Sequence, residues 1–485
     1  MEKQLGVLCH VSSIPSQYGI GDFGKSSFDF IDFLAKNNLG IWQILPLNTT
    51  NIYNCPYSSS CCYSFDEMYV DPEELLAQDK ITQNDLKLLK KLSKTKKVAF
   101  EQVKAEKAKL LELSYLKIDD KTKQAVKKEF KTSPWLYDYS CFRALLNQHN
   151  TDNFRNIPQE YWNKNSKQYK QFIKVNADEI LKYGYFQYLL NSQWQKVRAY
   201  AKQKGVKILG DLPIYPDPNS YDVFANANQF KVEPNTLTPL VYGGVPKDDF
   251  CKDGQNWHTC VYNWDYMKQN NYDFMIGKIK LLLTKYDILR LDHFLGYVEH
   301  YEWDAKKQKV GKWHKKGGKD FFNALKQSCD MSSLVIEDLG LDRPEATKVR
   351  KMFNLKGMCV VQMIMENKKN LRYLPDKVEQ DSLYYLGTHD NNTFIGYLNS
   401  LSKQEKKTFC ELLNIKCGSN KQIHFDCIRK MIESKSEIVI LQIQDYLVQN
   451  EKQRMNVPGQ AAGCWEYKMP NKYEAKVAKT LSKIR

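Results

Sequence analysis

Eight short apolar runs of strand type, each closing on polar or ionisable residues, constrain the fold of this chain more than any other feature. They cover residues 6–9, 41–45, 206–209, 288–291, 334–336, 358–363, 383–386 and 438–443. Amphipathic helical stretches lie between most of them, such as 26–36 and 273–285. Alternating apolar strands and helices predict a parallel sheet covered by helices. Eight such units predict a closed (β/α)8 barrel, an α/β TIM-barrel fold, rather than an open sheet.

A barrel of this kind takes about 250 residues, and the chain has 485. The surplus falls in two long gaps, after strands 2 and 3. The first holds Lys-rich helical patterns over 85–131, then 135–147 and 183–202. The second is loop-rich, with Pro216, Pro218, Pro234, Pro239, Gly243, Gly244, Pro246 and Gly254. Residues 1–485 therefore read as a single barrel domain. Residues 66–203 form a largely helical insertion and 213–272 a loop-rich one, both at the C-terminal face of the barrel. Within the second, 243–257 has the glycine hinges and the apolar Phe250 and Trp257 expected of an active-site lid.

The net charge is +16, from 72 Lys+Arg against 56 Asp+Glu. A basic balance raises the possibility of a nucleic-acid partner. Here the excess is Lys spread along helical patterns, as in Lys87-Leu88-Leu89-Lys90-Lys91, which reads as a solvated surface. We expect no nucleic-acid partner. The 13 cysteines are scattered, with Cys61-Cys62 adjacent, no Cys-x-x-Cys pair and no His/Cys set at zinc spacing. Reduced thiols, a cytoplasmic setting and no metal are expected. No basic-then-apolar leader opens the sequence, and no apolar run approaches the roughly 18 residues of a membrane helix, so no membrane association is expected.

Chemistry in such barrels sits where strands end. The third run is followed by Gly210-Asp211-Leu212-Pro213. The fourth closes on Arg290-Leu291-Asp292-His293, the fifth on Glu337-Asp338, and the seventh on Thr388-His389-Asp390-Asn391. Four strand ends thus each offer a carboxylate. Glycosidic chemistry needs such a set, because its transition state is a sugar cation. One carboxylate attacks or stabilises the anomeric carbon, and one carboxylic acid protonates the leaving oxygen. Retaining enzymes hold that pair about 5–5.5 Å apart, close to the roughly 4.8 Å between neighbouring strands. Arg290 lies two residues before Asp292, on the same face of the strand, and is placed to hold it ionised. Glu337 has no cation beside it in sequence, so a less polar setting raises its pKa as a general acid requires. Singly, each of these residues has a plainer reading. Asp292 suits a helix cap, Glu337-Asp338 a cap pair, and His389 a core histidine. Four such ends in order favour catalysis.

In this order the motifs resemble the signature regions of the α-amylase superfamily, and most closely the amylomaltases, the 4-α-glucanotransferases also called disproportionating enzymes. The resemblance runs nearly end to end. It is carried by Tyr18-Gly19-Ile20-Gly21-Asp22-Phe23-Gly24, Trp42-Gln43-Ile44-Leu45-Pro46-Leu47, Pro56-Tyr57, the stretch 210–215, Gly254-Gln255-x-Trp257, Tyr262-x-Trp264, Arg454-Met455-Asn456-x-Pro458-Gly459 and Trp465. It implies Asp292 as nucleophile, Glu337 as acid/base and Asp390 as transition-state stabiliser. It also implies Arg290, His389, Tyr57, Trp257, Asp248, Gln255, Asp211 and Asn456 as substrate-binding residues, with Tyr57 and Trp257 stacking on glucose rings. The implied partners are α-1,4-glucan donors and acceptors, with no cofactor. The sequence departs from the family pattern at Lys247, at His258-Thr259-Cys260, at Cys55 and Ser58, and at Cys464 and Lys468. None of these is one of the three acids. An α-1,4-glucan hydrolase and a non-catalytic glucan-binding barrel remain open as alternatives, and the oligomeric state is not legible.

Overall fold

The computed structural model describes residues 3–247, 254–307, 311–340, 343–365, 371–460 and 462–484. Eight parallel strands form one sheet: β1 Gln4–Leu8, β2 Ile41–Gln43, β3 Lys207–Leu212, β4 Ile288–Leu291, β5 Leu334–Ile336, β6 Gly357–Val360, β7 Ser382–Tyr385 and β8 Ile438–Gln442. Their order is β5-β4-β3-β2-β1-β8-β7-β6. A parallel bridge between Val335 and Lys356 joins the two ends, with Ile336 N donating to Lys356 O at 2.8 Å. The sheet closes into the expected barrel. Its strands are short and almost wholly buried, as the fully apolar runs require.

All eight runs form strands, and their ends differ in two informative places. β3 extends to Leu212, so that Asp211 pairs with Arg290 inside the ladder. The sixth run stops as a strand at Val360, and Val361–Ile364 turns into a short 3-10 helix. The outer layer begins with Lys25–Lys36, which buries Phe30, Ile31, Phe33 and Leu34. Residues 66–203 carry a set of helices, among them Phe100–Tyr115, Pro134–Gln148 and Ala177–Gln203. Trp194 on the last of these is fully buried and donates from Nε1 to Lys285 O at 2.9 Å. A buried ion pair pins this layer to the barrel: Lys107 Nζ lies 3.1 Å from Asp22 Oδ2, with side chains 0% and 3% exposed. Removing one partner would strand the other charge in the interior. The Lys-rich stretch 87–97 keeps its lysines exposed.

The loop-rich reading of 213–272 needs correction. Val241–Val245 and Gln255–Cys260 are strands of a four-stranded antiparallel sheet, completed by Glu299–Asp304 and Gly311–Lys315 from the segment after β4. Gly244 makes the pairing possible, because a Cβ there would lie 2.0 Å from Gln255 O. The expected lid, 243–257, is in its described parts two strands of this sheet. Residues 248–253, which include Asp248 and Phe250, lie outside the described residues. Among the described residues no helix is long and apolar enough to cross a membrane.

Candidate active site

The site is assembled first by strand register. Asp211 on β3 and Arg290 on β4 are direct partners. Arg290 Nη1 donates to Asp211 Oδ1 and Oδ2 at 2.8 and 2.7 Å. The same nitrogen lies 2.9 Å from Asp292 Oδ1. One guanidinium, 4% exposed, therefore bridges two carboxylates. Burial disfavours its charge, yet Asp211 and Asp292 more than offset that and raise its pKa well above the usual value. Asp211 is expected among the sugar contacts, and its geometry differs. Its side chain is 0% exposed, and Tyr57 Oη donates to its Oδ2 at 2.7 Å. Both oxygens are engaged by these two side chains, so Asp211 holds Arg290 and Tyr57 in place.

The second element is the pair Asp292 and Glu337. Leu291 on β4 is the register partner of Ile336 on β5. The ladder runs one step further, with Glu337 N donating to Leu291 O at 3.0 Å and Phe294 N to Glu337 O at 2.8 Å. Asp292 and Glu337 therefore leave neighbouring strands at the same level. Strand spacing is about 4.8 Å, which suits the roughly 5–5.5 Å of a retaining carboxylate pair. Between them His293 adopts a left-handed backbone, φ 46° and ψ 62°, a conformation that costs energy for a residue with a Cβ. That turn aims His293 N–H at Glu337 Oε2, 3.1 Å away, while Leu339 N donates to Oε1 at 2.8 Å. Burial pushes the Glu337 carboxyl up to about 7; the Arg290 charge opposes this and the Asp292 charge adds to it. Burial lowers His293 to about 4, so the ring is neutral at physiological pH.

The third element comes from β7 and the C-terminal segment. His389 Nε2 lies 3.1 Å from Asp390 Oδ2. Asn456 Nδ2 donates to Asp390 Oδ1 at 2.6 Å, and Arg454 Nη2 to Asp390 O at 2.6 Å. Burial pushes the Asp390 carboxyl upward, but His389 beside it, the hydrogen bond from Asn456 and the Arg290 charge hold it at about 2. The half-buried Tyr57 ring stacks on His389 with centroids 5.0 Å apart and planes at 15°. Trp465 lies 6.0 Å from each ring. One face of Tyr57 is therefore taken by His389.

Trp257 and Gln255 enter from the antiparallel sheet. Trp257 Nε1 donates to Gln255 Oε1 at 3.1 Å. The indole meets the His293 ring edge-on at 4.8 Å and lies 6.5 Å from Tyr215. The structure thus brings Asp211, Arg290, Asp292, Glu337, His389, Asp390, Tyr57, Asn456, Gln255 and Trp257 into one network around the ends of β3, β4, β5 and β7. Sequence reasoning missed His293, whose main chain serves Glu337 and whose ring meets Trp257. Its one signal was its place directly after Asp292. Among the departures from the family pattern, Cys260 is buried at the end of its strand and His258 is exposed. Cys464 Sγ accepts from Val457 N at 3.4 Å.

Among the described residues no group of His, Cys, Asp and Glu is arranged to hold a metal ion. The residues can do carboxylate chemistry: one carboxylate paired with a guanidinium, one acid poised near neutrality, and one carboxyl held at about 2.

Comparison with known proteins bears on this geometry. A family model described as 4-alpha-glucanotransferase matches residues 9–474. The 4-alpha-glucanotransferase of Aquifex aeolicus is 32% identical over 97% of this chain and 96% of its own. That of Synechocystis sp. is 33% identical over 96% and 93%. Among solved structures, the amylomaltase of Streptococcus agalactiae in complex with acarbose superposes with a TM-score of 0.93 at 26% identity, covering 99% of this chain and 98% of that one.

Proposed function

Because the chain belongs to the 4-alpha-glucanotransferase family, we propose that it moves a segment of an α-1,4-glucan to the 4-hydroxyl of an acceptor glucan or glucose, with retention, through a glycosyl ester on Asp292. The observation that carries this reading is the shared level of Asp292 and Glu337 on the adjacent strands β4 and β5.

Two displacements follow from the site. In the first, protonated Glu337 gives its proton to the glycosidic oxygen as Asp292 attacks the anomeric carbon. The C–O bond to the reducing-end fragment breaks, and that fragment leaves with a free 4-hydroxyl. In the second, the Glu337 carboxylate takes the proton from an acceptor 4-hydroxyl, whose oxygen attacks the same carbon and releases Asp292. A group that must act as acid and then as base works best near neutrality, and burial brings Glu337 there. Arg290, 2.9 Å away, keeps Asp292 aligned. Asp390, held at about 2, remains anionic where the sugar becomes cationic, and His389 and Asn456 fix its direction. Trp257 offers an apolar ring to a sugar face beside the nucleophile. The acarbose complex of the streptococcal amylomaltase supports a sugar-type ligand for this fold. The described cysteines are free thiols, which suits a reducing compartment. We place the enzyme in the cytoplasm, acting on maltooligosaccharides of starch or glycogen type.

Incubation with maltotriose tests the proposal. Transfer yields glucose and a ladder of longer oligosaccharides with reducing ends nearly constant. A steady rise in reducing ends without a ladder would assign the chain to hydrolysis instead. Binding without any turnover would leave it a glucan-binding barrel.

A further inference from the structure

Residues at the ends of β1 and β8, together with His389, line a small cavity of about 10 Å³. His10, Ser13 and His389 line it, with Gln442 and Gln444. The first three are 4%, 1% and 3% exposed. Each has a polar atom without a hydrogen-bond partner among the described residues: His10 Nδ1, Ser13 Oγ and His389 Nδ1. Buried polar atoms are rarely left so, and three around one void call for an explanation. A volume of about 10–15 Å³ with two to four polar partners is what one water molecule needs.

The proton inventory around the cavity is directional. Tyr69 Oη lies 2.8 Å from His10 Nε2. Burial raises the Tyr69 phenol well above its ordinary pKa, so it keeps its hydrogen. No other acceptor for that hydrogen is seen among the described residues, so the hydroxyl donates to His10 Nε2. Burial lowers His10 to about 3, so its ring is neutral. A neutral ring that accepts at Nε2 carries its hydrogen on Nδ1. His10 therefore presents a donor to the void. His389 also lines the void and its buried Nδ1 has no partner among the described residues, while its Nε2 lies 3.1 Å from the Asp390 carboxylate, an acceptor. A carboxylate there wants a hydrogen on Nε2, so in the neutral form of the ring Nδ1 is an acceptor.

We propose that the cavity holds one ordered water, through which His10 and Ser13 select, for the neutral form of His389, the tautomer with its hydrogen on Nε2. The water accepts from His10 Nδ1–H and donates to His389 Nδ1, and Ser13 Oγ takes its remaining hydrogen bond. The chain of donors runs from Tyr69 through His10, water and His389 to Asp390. His10, Ser13 and Tyr69 are positioning residues; none reaches the reacting atoms. Their effect is to keep a hydrogen-bond donor aimed at Asp390 and at any sugar hydroxyl beside it. The functional half of this inference rests on Asp390 acting as proposed above, whereas the tautomer does not.

The test reads the tautomer on the resting enzyme. Histidine-labelled protein is examined by long-range 1H–15N NMR at pH 8, with His389 assigned by comparison with His389→Gln. The wild type is expected to show Nδ1 of His389 as an unprotonated, hydrogen-bonded nitrogen. Tyr69→Phe, which removes one hydroxyl, and His10→Phe, which keeps a ring of similar size, should each shift His389 toward a mixture of tautomers. Each should also lower kcat about tenfold, the worth of one net hydrogen bond, with KM nearly unchanged. Wild-type His389 protonated on Nδ1, or signals unmoved in both variants, would overturn the proposal. A fixed tautomer in an enzyme that fails to disproportionate maltotriose would leave the relay standing and sink the transferase reading.

Discussion

The ends of β4 and β5 and the edge strand Gln255–Cys260 approach the same point from two kinds of sheet. At β4 and β5 the side chains are set by the parallel ladder itself, with Leu291 against Ile336 and main-chain bonds continuing through Glu337 and Phe294. Arg290 then locks Asp292 in a buried charge network. Trp257 is held differently. Its strand lies at the margin of a second sheet, the ring is half-buried, and its supports are one side-chain hydrogen bond and the edge of His293. The difference separates tasks. Bond making needs positions good to a fraction of an ångström, and the barrel core supplies them. Sugar recognition tolerates adjustment, and on the proposed function the outer sheet would supply contacts that can vary without disturbing the acids. The departures at Lys247 and at 258–260 fall on or beside this outer sheet.

Substitutions should split along that line. Asp292→Asn is expected to have the largest effect, a loss of about 10⁴-fold in kcat with glucan binding retained, as for removal of other covalent nucleophiles. Steady-state rates and a binding isotherm on the same preparation read both. Retained turnover would move the nucleophile elsewhere. Glu337→Gln should cost about 10²–10⁴-fold, less for substrates whose leaving group needs no proton. The wild-type rate of the first displacement should fall as pH rises through about 7, because Glu337 must be protonated there. The same group has a stability consequence. Its pKa is raised in the fold, so its contribution is fully present below its ordinary value of 4.5 and is lost as pH rises through about 7. Glu337→Gln should accordingly be more stable than wild type at pH 8, by on the order of 1 kcal/mol or more, with the gap closing below pH 4.5; thermal unfolding across pH measures it.

Tyr57→Phe removes the hydroxyl on Asp211 Oδ2 while leaving the stack on His389. A hydrogen bond to a charged group is worth about 1.5–3 kcal/mol, so kcat/KM should drop roughly 10- to 100-fold. An equal loss in Asp211→Asn, with no additivity in the double variant, would place both residues in one support. Trp257→Ala should do least to chemistry. An aromatic contact contributes about 0.5–1.5 kcal/mol, so KM should rise up to roughly tenfold and the share of hydrolysis should increase, seen as extra reducing ends from maltotriose. A loss in kcat as large as that of Glu337→Gln would erase the proposed division between the two sheets.

The same division governed what could be read from sequence. Barrel strands announced themselves because strands buried on both faces must be apolar throughout, and their ends were marked by the carboxylates that followed. The outer sheet did not. Val241-Tyr242-Gly243-Gly244-Val245 looks like a turn, since its glycines mark close approach rather than a bend. Glu299–Asp304 hides its pairing because Glu302 is satisfied by His300 and His314 within the sheet and by Lys231 beside it. Asp211 looked like one more sugar contact. Only the ladder, which pairs it with Arg290, and Tyr57, 154 residues away, reveal its support of those two side chains. The His293 turn was equally invisible, because no local residue signals a left-handed backbone at a histidine.

The central claim is a covalent bond between the sugar and Asp292, and trapping it is the most direct measurement. Glu337→Gln enzyme is mixed with an α-glycosyl fluoride, whose leaving group departs without a proton, then quenched in acid, digested and analysed by mass spectrometry. The account predicts one glycosyl unit added to the peptide containing Asp292, and none in the Asp292→Asn, Glu337→Gln double variant. A glycosyl adduct on any other residue, or release of a product of inverted configuration with no adduct, would contradict it.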